Sequence, residues 1–98
     1  MKALKLEDNN IIDIDIDNTL EAFQTAVDGH IETVGIVPGI VVMVVNEEGL
    51  LRGMAQNNIA SLVARRYIVG PALIVGVDEE DFTDVPAETA QWLKDKYL

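Results

Sequence analysis

The stretch HIETVGIVPGIVVMVVNEEG, residues 30–49, decides the fold. Pro38-Gly39 places proline and then glycine at the two central positions of a type II turn. His30–Val37 and Ile40–Val45 therefore read as the arms of a hairpin. The second arm has no polar position at all, so it lacks the period-two alternation of a strand with one wet face. A strand of that kind belongs in the middle of a sheet, covered on both sides. Asn46-Glu47-Glu48-Gly49 then reads as a turn, with Gly49 expected at positive φ and Leu50–Met54 expected to pair back.

Working outward towards the N-terminus, Ile12-Asp13-Ile14-Asp15-Ile16-Asp17 alternates with a period of two. That pattern makes a strand with isoleucine on one face and aspartate on the other. Lys2–Leu6 reads as a shorter strand, broken by the polar turn Glu7–Asn10. Asn18 with Glu21 three residues on, followed by Leu20, Phe23 and Val27, signals a helix of about ten residues. Gly29 after Asp28 reads as its stop.

Towards the C-terminus, a short helix is expected over Ile59–Tyr67 and an apolar strand over Ile68–Val77. Gly70-Pro71 interrupts that strand and marks a bulge or an edge. An acidic loop over Asp78–Asp84 leads to a last helix, with Asp84 as cap, Pro86 in the first turn and Ala90, Leu93 and Tyr97 along one face. The expected fold is α+β: a mainly antiparallel sheet of about five strands with two to three helices packed on it. A chain of 98 residues fits one domain, residues 1–98.

Composition narrows the chemistry. The formal net charge is −10, from Lys+Arg 7 against Asp+Glu 17, and there is no cysteine. Without cysteine there are no disulfides and no thiolate metal sites, and the chain suits a reducing cytoplasm. The N-terminus MKALKLEDNN lacks the apolar core of a signal peptide. IVVMVV at 40–45 is far short of a bilayer span, so no membrane role is expected. Direct nucleic-acid binding is disfavoured, because duplex affinity comes largely from Lys and Arg at phosphates. The acidic balance reads first as solubility and only secondarily as mimicry of a nucleic acid.

No catalytic motif stands out. There is no G-x-S-x-G around Ser61 and no phosphate-binding glycine loop. His30 is the only histidine, with Glu32 on the same strand face; that pair is also common on plain surfaces. No cofactor is implied, and an enzyme is the less favoured reading. Asp13, Asp15 and Asp17 invite a metal, but alternate residues on one strand face stand roughly 7 Å apart, too far for three to share one ion. A solvated strand face that discourages edge pairing is the simpler reading. The same three aspartates are the candidate partner-binding residues.

One segment stands against the acidic background. From Gly49 to Val77 there is no carboxylate, while Arg52, Arg65 and Arg66 all lie within it. One of Asn57 and Asn58 reads as the N-cap of the helix starting at Ile59. If the helix start met an arginine, Asn57, Asn58, Arg65 and Arg66 would form a candidate site for a small anionic metabolite or nucleotide. The competing reading is that most of 49–77 is core, where carboxylates are rarely found. A third expectation is a structural homodimer that covers the apolar strand Ile40–Val45.

The order of MKALKL, IDNTLEAFQTAVDGHIETV, VVNEEGLL, NNIASLV and IVGPALIVG resembles an uncharacterised family, domain of unknown function 3846. The resemblance covers about residues 1–83, with VNEEGLL, Asn57 and IVGPALIVG as its most specific parts. Where other members often carry a basic residue after the motif asparagine, this chain has Asn58. The family implies no established activity. It implies an origin in phages, plasmids and gut bacteria, with some members beside antirestriction proteins. On that footing the expected function is a non-enzymatic accessory protein that binds a host protein, with counter-defence as one role.

Overall fold

The computed structural model describes residues 1–98. It is an α+β fold with strands β1 (Lys2–Glu7), β2 (Asn10–Asp15), β3 (Ile31–Val37), β4 (Val41–Asn46), β5 (Ala72–Asp78) and β6 (Asp81–Thr83). The helices are α1 (Leu20–Val27), α2 (Asn58–Ala64) and α3 (Ala87–Tyr97). All pairings are antiparallel, in the order β2-β1-β5-β4-β3, and β6 pairs with the far half of β5.

The all-apolar strand is where its sequence requires it to be. β4 lies between β3 and β5, and its residues divide between two cores. Val41, Met43 and Val45 join Leu4, Leu6 and Ile74 beneath α2 and α3; Val44 joins Leu73, Val75, Phe23 and Val27 beneath α1. The chain's own helices thus cover both faces of β4, which removes the reason for a homodimer formed over that strand. The β3–β4 connection is the expected turn: Ile40 N donates to Val37 O at 2.9 Å, with Gly39 at φ 73. A bulge between Gly35 and Val37 lets β3 bend as it leaves the sheet.

Several local expectations are corrected, each for a visible reason. Thr19, not Asn18, caps α1 by accepting from Ala22 N, because the Asn18 amide instead donates to Phe82 O. The left-handed residue that ends α1 is Asp28, at φ 63. Gly49 does not have positive φ; a Cβ there would come within 2.8 Å of Val69 Cγ2, so the glycine is required for space. Leu50–Met54 forms a coil of turns rather than a strand, with Arg52 N donating to Glu48 O and Met54 N to Gly49 O. Helix α2 stops at Ala64, because Arg65 is left-handed at φ 57. Pro71 precedes β5, a central strand, rather than marking an edge. The loop expected over 78–84 contains β6, and the Asp84 carboxylate accepts from Lys2 N instead of capping α3.

Candidate functional site

The two faces of the sheet are covered unequally. On one face α2 and α3 close over the main core. On the other there is only α1, an eight-residue helix. Phe23 and Val27 seat it over Val44, Leu73 and Val75, and Phe23 meets Phe82 edge-to-face with 5.0 Å between ring centres. Placed there, α1 leaves the β2 edge of the sheet open, with Ile14 and Ile16 only half-buried beside it. The result is an open groove of ≈ 650 Å³ between β2 and α1. Concave sites for ligands fall in roughly this size range, about 300–1,000 Å³.

Local sequence explains each side of the groove. The isoleucines of the alternating segment, Ile14 and Ile16, form the floor with Leu73. Ala22 and Ala26, four residues apart and so on one helical face, form a wall low enough to keep the groove open. Asp15, Asp17 and Glu21 line it as well, and none of the three takes part in an ion pair. Lys5 also reaches the groove but lies 3.5 Å from the Glu7 carboxylate. The unpaired charge around the groove is therefore negative, over an apolar floor.

The three strand aspartates separate. Asp13 pairs with Lys94 of α3, on the opposite face of the sheet. Asp15, on Asp13's face of the strand by alternation, borders at the sheet edge both the groove and a smaller cleft shared with Lys2 and Asp13. Asp17 lies beyond the end of β2, where its carbonyl accepts from Thr19 N. Glu21, Ala22 and Ala26 were not legible as site residues: a capping glutamate and two helical alanines carry no functional signal until β2 stands beside them.

The asparagines and arginines of the carboxylate-free segment are not brought together. Asn57 and Asn58 stand at the start of α2, and Arg65 and Arg66 beyond its end, about 10 Å away at 1.5 Å per residue. Asn57 is buried and fully engaged. Its Oδ1 accepts from Ala60 N at 3.1 Å, while its Nδ2 donates to Leu6 O at 2.8 Å and to Gly70 O at 2.9 Å. One side chain thus caps α2 and ties it to the ends of β1 and of the β5 approach. Asn58, Arg65 and Arg66 are exposed. Arg52 points elsewhere, pairing with the Asp28 carboxylate at 3.0 Å.

The carboxylate-free segment itself divides in two. Ile59, Ala60, Val63, Ile68, Val69 and Ala72–Val75 are buried, as the core reading requires. Leu50, Leu51, Leu62 and Tyr67 are exposed, Leu51 at 89%.

Two further polar side chains have structural duties. Asn46 is buried, donates from Nδ2 to the carbonyls of Val27 and Asp28 at 3.0 Å each, and accepts from Glu48 N at 2.8 Å. It therefore holds the C-terminal end of α1 and the turn after β4 together. The Ser61 hydroxyl accepts from Ile68 N at 2.9 Å and lies 2.8 Å from Asn57 O. His30 is exposed and joins no ion pair.

A family model described as a domain of unknown function (DUF3846) matches residues 1–98, the whole chain. The chain belongs to that family. The match therefore includes α3, beyond the stretch that carries the resemblance in sequence. Comparison with the curated proteins and with the solved structures gave no match. The motifs that mark the resemblance are explained by structure: Asn46 within VNEEGLL holds α1, Asn57 locks α2, and IVGPALIVG includes the first five residues of β5, the strand at the centre of the sheet.

Proposed function

We propose that the protein is a non-enzymatic accessory protein of a phage or other mobile element that binds a host protein. The contact is a basic segment of that partner, received by the groove between β2 and α1. The observation that carries the reading is the groove itself. It joins an apolar floor of Ile14, Ile16 and Leu73 to a rim that includes Asp15, Asp17 and Glu21, none of them in an ion pair. Lysines or arginines flanking one or two apolar anchors would satisfy both parts, and complementary charge would also speed encounter with a chain of net charge −10. The mobile-element origin rests on the family resemblance. The engagement of Ser61 and the isolation of His30 favour binding over catalysis.

The test is calorimetric titration with a lysine- and leucine-rich amphipathic peptide. The wild type is expected to bind, and the triple variant D15K/D17K/E21K to bind at least about tenfold more weakly. Equal affinity for both proteins would remove the groove from the account.

A further inference from the structure

The two edges of the sheet differ in what they offer a second strand. β2 carries Asp13 and Asp15, charges that discourage edge pairing. β3 is the other edge, seven residues long, and its only charged residue is Glu32. The sequence from Thr33 to Asn46 carries no charge. β3 contains no proline or lysine, and its Thr33 and Gly35 are exposed.

We infer that β3 pairs antiparallel with β3 of a second copy of this chain, about a twofold axis at Thr33. The register follows from the backbone. Glu47 N donates to His30 O, so in the β3–β4 ladder His30, Glu32 and Val34 are the residues bonded to β4. Hydrogen-bonded and free positions alternate in an antiparallel pair, so Ile31, Thr33 and Gly35 direct their N–H and C=O groups outward. Centring on Thr33 sets Thr33 against Thr33 of the second copy and Ile31 against Gly35.

That register is self-complementary in shape and charge. A Cβ at Gly35 would meet nothing within 4 Å, so there is room beside it for the Ile31 side chain of the facing strand. Ile31, Thr33 and Gly35 share one face by strand alternation. Threonine facing threonine is a favourable cross-strand pair. Glu32 faces Val34, so the two Glu32 carboxylates are not directly opposed. A second copy is the occupant this edge fits, because two chains of net charge −10 can meet closely only where carboxylates are few. This inference does not rest on the groove, which lies at the other side of the sheet.

Sedimentation velocity and cross-linking test it. The wild type is expected to form a dimer that strengthens as salt screens the like net charges, and T33D is expected to be monomeric. Paired Cα atoms at a hydrogen-bonded position lie about 5.5 Å apart, within the ~4.4–6.8 Å range of a disulfide. T33C, in a chain with no other cysteine, is therefore expected to cross-link under mild oxidation much faster than L51C, an exposed control. A wild-type monomer at every concentration up to about 1 mM would overturn the inference. So would a T33C rate no greater than that of L51C, a result readable even if T33D failed to fold.

Discussion

One face of the sheet is closed and the other is half open, and the two use their polar residues in opposite ways. Under α2 and α3, Asn57 and Ser61 are committed to backbone partners, and the core beneath them includes residues from all five main strands. Under α1 the core is smaller, and three carboxylates beside it have no internal partner. Covering a sheet with two helices buries its apolar side chains in one large core. Covering it with one short helix leaves a groove whose floor and charge come from the strand beside it.

If that contrast holds, the largest cost on the open face comes from the residue that seats α1. F23A removes the side chain packed on Val44, Leu73 and Val75 and should cost about 4 kcal/mol in urea unfolding. A loss under about 1 kcal/mol would mean that α1 is not held by that contact. On the closed face, N57A leaves Ala60 N, Leu6 O and Gly70 O without their side-chain partner, at a cost of about 3 kcal/mol.

N46A should cost less, about 2 kcal/mol, because Arg52 still donates to Asp28 O. It should also raise hydrogen exchange in α1 more than in α2; the reverse order would show that Asn46 does not hold α1. The smallest effect on stability belongs to D15K/D17K/E21K, within about 0.5 kcal/mol of wild type. Wild-type stability with lost peptide binding is the combination that separates the free carboxylates from the engaged asparagines.

Much of this was legible in the sequence. The apolar run of β4 has no polar position to expose, so its central place followed directly, and with it the need for helices on both sides. The alternation at Ile12–Asp17 set β2 and its two faces, and the proline–glycine pair set the hairpin. What was not legible depends on partners distant in sequence. Asn18 is a good cap until Phe82 O is beside it, and Gly49 suggests a left-handed turn until Val69 is seen against it. The groove falls in the same class: Ile14 and Ala22 acquire a joint meaning only when β2 and α1 lie side by side. The absence of carboxylates from 49–77 reflects a buried half, while exposed Leu51 and Tyr67 show that burial does not account for all of it.

The most direct measurement is amide chemical-shift mapping of the isotope-labelled protein during titration with the lysine- and leucine-rich peptide, at low and at high salt. Shifts are expected to concentrate at Ile14, Ile16, Asp17, Glu21 and Ala22 and to shrink as salt screens the carboxylates. Shifts confined to α2 or to the Leu50–Leu51 turn, or none at any salt concentration, would contradict it.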